Sequence, residues 1–381
     1  MFMALGKLPS LPNKLLQQGS HHETFSDFHR SFFSTILLSG CTNAPQKHND
    51  VMITIPAANT EIATMGRTHI NSDKSLLLGF PGVSVKTDVV GKSLTADLQS
   101  STGSSWVDVI VDNGSPTAIK ITNQPQTVEL FRFTEDAKHS VEIIHRTENW
   151  QGQVELKQFT LTGEKFLSAP LLPKRKMLVL GDSVTCGEAI DRVTGEEKNS
   201  RWWNARESYG MLTGKTLNAQ VNLVCWGGRG LVRSWNGKTD DANLTDFYEF
   251  AVGDNDPIMK WDHTQYQPDL IVSAIGTNDF SRGIPEREAY VTAYVKLINK
   301  LLANHPQAHV ALTEGAILNG DKKAALIDYI REAISRVNDS RVHQVTSNHY
   351  PGDMQDAHPT NEQHVAMAKD LAPQLKALMD W

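Results

Sequence analysis

From residue 51 to about residue 165, apolar and polar positions trade places over short distances. VMITIP, KSLLLGF, VSVKTDVV, SLTADLQSS, SWVDVIVD, AIKITN, QTVELFRF, SVEIIHRT and QVELKQFTL are runs of this kind. In several the period is two, which on a pleated strand puts the apolar side chains on one face. Turn-forming residues separate them: Gly79, Pro81 and Gly82 in one place, Asn113-Gly114 in another, Asp136-Ala137 in a third. Many short strands without a long helical pattern predict an all-β sandwich, jelly-roll-like, over residues 51–168. Such a domain either supports its neighbour or binds sugar.

Ala169-Pro170-Leu171-Leu172-Pro173, followed by Lys174-Arg175-Lys176, reads as a linker. Over 174–381 the period changes. Apolar runs MLVLGDS, QVNLVCW, PDLIVSAIG and AHVALTEGA alternate with helical spacing over Ser208–Leu217, Pro285–Asn304, Ala324–Val337 and Asn361–Met379. Thr360 with Gln363 three residues on predicts a capping box for the last helix. Alternating strands and helices predict a parallel sheet covered on both faces, a three-layer α/β/α domain.

The first 50 residues fit neither pattern. SFFSTILLSGCTNAP contains a short apolar run ending in Leu38-Ser39-Gly40-Cys41. Small residues after an apolar stretch suit a signal peptide, and this box resembles that of a bacterial lipoprotein, with Cys41 as the lipidated residue. The expectation is an exported chain, periplasmic or outer-membrane-anchored, that meets the membrane only through lipid; the alternatives are a secreted or a cytoplasmic protein. Net charge is −6 and no long basic run occurs, which argues against nucleic acid as a partner. Three cysteines are too few for a disulfide framework. Nothing in the sequence sets the oligomeric state.

In open parallel sheets, sites gather where strands end at their carboxyl edge. The strand ends here read Gly181-Asp182-Ser183, then Trp226-Gly227-Gly228-Arg229-Gly230, then Gly276-Thr277-Asn278-Asp279; Asp356-Ala357-His358-Pro359 stands just before the last helix. Each stretch alone is ordinary turn chemistry. Together they supply what acyl transfer needs. Ser183 is a nucleophile once a base takes its proton, and His358 is that base. The Ser183 N–H at a helix start, the Gly228 N–H and the Asn278 amide are three donors for an oxyanion. Asp356 can orient the imidazole. This chemistry calls for no cofactor and no metal. A metal set of Asp353, Asp356, His358 and His364 fails because the two histidines do not share a helix face.

The blocks GDS, GGRG, GTND and DAHP resemble those of the SGNH (GDSL-type) hydrolases. The resemblance implies a flavodoxin-like fold and a Ser and His pair with a Ser, Gly and Asn oxyanion hole. The nucleophile-elbow pattern G-x-S-x-G is absent, since Thr185 stands where its second Gly would be. HRTENWQGQVELKQF, GDSVTCGE, GGRGLVRSWNG and GTNDFSRG resemble carbohydrate esterase family two more closely. That family places a β-sandwich before the SGNH domain, and the likeness covers about residues 55–381. It implies a serine esterase, acetylxylan-esterase-like, that removes O-acetyl groups from oligo- or polysaccharide such as xylan or glucomannan. The wider SGNH pattern has Asp three residues before the His, where this chain has Gln355; either Asp356 or a backbone carbonyl then orients His358. Rival readings are a short-chain acyl or lysophospholipid esterase, and a non-catalytic, lipid-anchored carbohydrate-binding protein.

Aromatic faces stack on sugars, so Trp235 and Trp261 are candidate substrate contacts beside the usual packing role of Trp. Arg229 joins them. Cys186 and Cys225, both near strand ends, are read as buried free thiols, with pairing the alternative in an exported chain.

Overall fold

The structure of the chain is a computed structural model that describes residues 51–253 and 258–381. The leader over 1–50, with the lipidation candidate Cys41, lies outside the described residues.

The first part is all-β. Strands β1 (Met52–Pro56), β2 (Ala63–Met65), β3 (Thr68–Ile70), β4 (Leu76–Leu78), β5 (Ser84–Ser100), β6 (Ser105–Val111), β7 (Thr117–Ile121), β8 (Gln126–His145) and β9 (Val154–Phe166) pair antiparallel. The order is β3-β4-β9-β5-β8-β6-β7, with β1 added to β9 and β2 to β5. Alternation does what the period promised: Val85, Val89, Leu94, Ala96 and Leu98 of β5 point inward with Leu156, Phe159 and Leu161 of β9. At Asn113 the expected turn forms. Asp112 and Asn113 both take positive φ, and the Gly114 N–H donates to the Val111 carbonyl at 2.8 Å, joining β6 to β7.

Two expected breaks do not occur. VSVKTDVV and SLTADLQSS fuse into β5, and QTVELFRF and SVEIIHRT fuse into β8. The turn expected at Asp136-Ala137 is a bulge instead. Arg132 pairs with Ser93 and Ala137 with Gly91, so Phe133–Asp136 stand opposite Lys92 alone. The polar residues loop outward while the strand on either side keeps its partner.

The second part holds a parallel sheet of β10 (Arg175–Gly181), β11 (Ala219–Cys225), β12 (Leu270–Ala274), β13 (His309–Thr313) and β14 (Val342–Gln344), in the order β11-β10-β12-β13-β14. This is the flavodoxin-like arrangement, and it places a crevice at the carboxyl ends of β10 and β12. The helices are α1 (Ser183–Cys186), α2 (Tyr209–Leu217), α3 (Leu244–Phe247), α4 (Arg287–Asn304), α5 (Gly320–Val337) and α6 (Asn361–Met379). Successive residues of β10 serve opposite faces. Leu178 and Leu180 pack with Tyr290, Tyr294 and Leu297 of α4 and Ile330 of α5; Met177 and Val179 pack with Tyr209 of α2 and Met367 and Leu371 of α6. A sheet buried on both faces needs such uninterrupted apolar strands. The capping box on α6 is present: Thr360 Oγ1 accepts from the Gln363 N–H at 3.3 Å, and Gln363 Oε1 from the Thr360 N–H at 3.0 Å. Strand β14 escaped the sequence pattern because three residues are too few to show a period.

The two parts share one apolar core. Their backbones meet at Gly79, where a Cβ would lie 1.8 Å from the Val252 carbonyl oxygen. Arg67, fully buried, crosses the junction and donates to the Tyr248 and Phe250 carbonyls at 2.6 and 2.8 Å.

Candidate active site

Strand β10 delivers Ser183 to the sheet edge through a tight turn. Asp182 caps α1 by accepting from the Val184 N–H at 3.1 Å, and the helix ends at once on Gly187, whose φ is +78°. A Cβ on Gly181 would fall 2.0 Å from Thr185 Oγ1. Thr185 therefore needs the preceding glycine, and its hydroxyl is held by the Tyr209 hydroxyl at 2.9 Å. The position two before the serine thus keeps its glycine, while the position two after carries Thr185. The Ser183 N–H is the first amide of α1, which no carbonyl of that helix can accept.

His358 reaches Ser183 from the loop before α6. Its Nε2 lies 3.0 Å from Ser183 Oγ, and its Nδ1 lies 2.6 Å from Asp356 Oδ1. The same oxygen of Asp356 accepts the His358 backbone N–H at 2.9 Å. A carboxylate two residues before the histidine thus curls back to it. Gln355, which stands where the wider pattern has the acid, points away and donates to the Val193 carbonyl at 2.7 Å. Burial works against a charge on His358. The Asp356 hydrogen bond and the Glu188 charge outweigh it, so the imidazole titrates above its ordinary value. Burial likewise opposes ionisation of Asp356, yet bonds from His358 and Lys198 hold its carboxyl well below the usual range.

Gly228 and Asn278 line the same cleft as Ser183. Gly228 has φ +75°, and its N–H donates to no acceptor among the described residues. Asn278 gives one amide hydrogen to the Arg229 carbonyl at 2.8 Å; an amide has two, and the second is free for a ligand. The loop carrying Gly228 is fixed from below by Asp279. That buried carboxylate accepts from Leu231, Val232 and Arg233 N–H groups at 2.8–3.1 Å. Burial raises Asp279 to about 6, with those bonds opposing the rise.

Ser183, Gly228, Asn278 and His358 open onto one cleft of about 630 Å3. Trp150, Glu188, Trp226, Arg229 and Trp235 line it as well. Trp235 is 57 % exposed and Trp150 46 %. Arg229 lies in the cleft as expected, tied to Asp241 Oδ2 at 2.5 Å with its guanidinium over Trp226.

Two expectations are corrected. Trp261 does not line the cleft; it covers the buried Arg67 guanidinium at 5.2 Å, so the junction of the two parts claims its face. Cys186 and Cys225 are not free thiols but a disulfide, because the end of β11 lies beside α1 with 5.6 Å between their Cα atoms. Among the weighed metal ligands, His364 is buried and accepts the Tyr209 N–H at Nδ1, far down toward pKa 3 through burial and the nearby His358 and Arg192 charges.

Residues that sequence reasoning missed hold the site together. Arg192 donates to the Asp356, His358 and Pro359 carbonyls at 2.8, 2.5 and 3.0 Å and to Asp353 Oδ1 at 2.9 Å. It fixes the histidine loop almost entirely through backbone, which leaves no sequence signature. Lys198 bridges Asp356 Oδ2 at 2.7 Å and Glu188 Oε1 at 2.5 Å. Trp150 and Glu148 come from the β part. They sit inside HRTENWQG, a stretch noticeable only for its resemblance, and nothing local points them at a sheet edge elsewhere in the chain.

Both parts of the chain match known protein families. Residues 64–170 match the family model Carbohydrate esterase 2 N-terminal, and residues 179–366 match the GDSL-like Lipase/Acylhydrolase family. An acetylxylan esterase / glucomannan deacetylase of Cellvibrio japonicus is 63 % identical over 344 residues, covering 90 % of this chain and 96 % of its own. The structure of a family two carbohydrate esterase from Cellvibrio japonicus superposes with a TM-score of 0.86 at 64 % identity, over 87 % of this chain and 99 % of that one. A family two carbohydrate esterase from Clostridium thermocellum, in complex with cellohexaose, gives a TM-score of 0.76 at 28 % identity, over 84 % of this chain and 99 % of its own. With its two matched domains in this order and its serine, histidine and amide donors on one cleft, the chain belongs to the family two carbohydrate esterases.

Proposed function

We propose that this carboxylic ester hydrolase removes acetyl groups from acetylated xylan or glucomannan, with Ser183 as nucleophile, His358 as base and Asp356 as its orienting acid. The single observation that carries the assignment of roles is the continuous path from Asp356 Oδ1 through both imidazole nitrogens to Ser183 Oγ, 2.6 and 3.0 Å long at its two steps, beside three amide donors. His358 Nε2 takes the hydroxyl proton as Ser183 Oγ bonds to the acetyl carbon. Negative charge grows on the former carbonyl oxygen, where the Ser183 N–H, the Gly228 N–H and the Asn278 amide receive it. The bond to the sugar oxygen then breaks, and His358 returns the proton to that oxygen. Water attacks the acetyl-serine by the same path and releases acetate. The raised pKa of His358 suits an imidazole that must carry a proton midway.

The cleft supports a carbohydrate substrate: Trp150 and Trp235 present exposed faces of the kind sugars stack on, beside the ring of Trp226. The similar Cellvibrio japonicus protein carries both xylan and glucomannan in its name. The test is acetate release from acetylated xylan, acetylated glucomannan and 4-nitrophenyl acetate by wild type and Ser183→Ala. Release from all three that vanishes in the variant supports the proposal; a variant with full activity removes Ser183 from the mechanism, and cleavage of the small ester alone removes the polysaccharides.

We also propose export with a lipid on Cys41. The Cys186–Cys225 disulfide supports an oxidising compartment. Fractionation of wild type and Cys41→Ser, with acyl-chain labelling, tests it: label that survives the substitution rules out Cys41.

A further inference from the structure

We infer that Glu148, on the β-sandwich side, is a positioning residue for the oxyanion-binding loop, acting through Gly227 on Gly228; this rests on the role proposed above for Gly228. Glu148 is fully buried. Its Oε2 accepts the Gly227 N–H, and its Oε1 accepts the Trp203 indole N–H at 2.8 Å. Its own N–H is tied to Gln151 Oε1 at 3.0 Å, so the acid is anchored at both ends.

The fit to Gly227 is close. A Cβ at that position would sit 2.7 Å from Glu148 Oε1, so the carboxylate occupies the place a side chain would need. Gly228 is then bracketed. Upstream, Glu148 holds the Gly227 N–H; downstream, the Trp235 N–H holds the Gly228 carbonyl at 2.9 Å. The downstream hold is local, whereas the upstream one comes from the other part of the chain. Glycine takes φ of +75° about as readily as a negative φ, so its own backbone preference fixes little and outside contacts decide where the Gly228 N–H points.

The cost of keeping an acid here speaks against simple filling. Burial, and next the charge of Glu188, raise Glu148 above the usual carboxylate range, against the opposing bonds from Trp203, Gly227 and Trp150. A glutamine of nearly the same shape would avoid that cost. It would put an amide N–H2 where one of the two carboxylate oxygens now accepts, so a donor would face either the Trp203 or the Gly227 N–H. The carboxylate offers each N–H an oxygen of its own.

The test is full-length Glu148→Gln, with kcat on 4-nitrophenyl acetate expressed per active serine titrated by a phosphonate probe. That ester carries no sugar, so it reads the oxyanion hole and not the cleft. The expected result is a fall in kcat of about tenfold or more with KM within about twofold, since displacing a donor costs less than deleting one. Thermal melting is recorded on the same samples. A wild-type kcat per titrated serine, with only a lower melting temperature, would make Glu148 a packing residue and overturn the inference. If Glu148→Gln does not fold, Glu148→Asp decides. It keeps the charge but falls one methylene short of Gly227, and a wild-type kcat there overturns the inference equally. Wild type that the phosphonate leaves unlabelled refutes the Ser183 mechanism and this inference with it, an outcome distinct from a labelled variant with full kcat.

Discussion

The cleft has two walls of different origin. One is the carboxyl edge of the parallel sheet, which presents Ser183, Gly228, Asn278 and His358. The other comes from the turn after β8, which presents Trp150, with the buried Glu148 behind it. The first wall is stiff by construction. Ser183, Gly228 and Asn278 follow their strands by two to four positions and His358 stands just before α6, and the turns are fixed by short bonds such as Asp182 to Val184, Asp279 to Leu231–Arg233 and Arg192 to the His358 carbonyl. The second wall depends on packing between parts. It is held against the first by Arg67 on the Tyr248 and Phe250 carbonyls, by Arg146 on Asp191 Oδ2 at 2.5 Å and by Glu148 on the Trp203 and Gly227 N–H groups, partners that all lie far along the chain. The difference teaches that chemistry can be encoded in local blocks, while the shape in which a polymer lies is shared with a domain that carries no catalytic block.

Substitutions can break or sharpen this contrast. The largest effect is expected at Ser183→Ala, with kcat down by about 10⁴-fold or more on every ester, because nucleophile and base act as a unit. Asp356→Asn comes next, lowering kcat by about 10³-fold through loss of the imidazole tautomer. It also moves the pH profile. His358 must be neutral to act as base, so activity falls as pH drops through its raised pKa; removing the Asp356 bond lowers that pKa, and the acidic limb shifts to lower pH. A limb that stays in place would show that Asp356 does not govern His358. Asn278→Ala is expected to cost about 10²-fold in kcat with little change in KM. Breaking the brace behind this wall is different in kind: Cys225→Ser removes a cross-link spanning 39 positions and should lower stability by about 3 kcal/mol in denaturant titration, while kcat of the folded enzyme changes far less. The smallest effect belongs to the second wall. Trp150→Ala should raise KM on acetylated polysaccharide about five- to tenfold, as loss of about 1 kcal/mol of aromatic contact implies, and alter 4-nitrophenyl acetate hydrolysis much less. Equal losses on both substrates would erase the distinction between the walls.

What the chain encodes by itself is local. Period-two alternation made the β part legible, and apolar runs ending in Gly-Asp-Ser, Gly-Gly-Arg-Gly and Gly-Thr-Asn-Asp marked the edge of the sheet, because a parallel strand buried on both faces must be apolar until it ends. The α6 capping box was readable because its two partners lie three residues apart. Tertiary structure decided everything that depends on distant neighbours. A turn signal at Asp136 became a bulge because β5 kept pairing on either side. Trp261 went to a buried guanidinium and Trp150 to the cleft, though both are tryptophans beside polar loops. Cys186 and Cys225 joined because strand order put β11 next to β10. Arg192 and Glu148 act on backbone groups, and a backbone amide or carbonyl is the same at every residue; no pattern of side chains can announce which one a remote charge will hold.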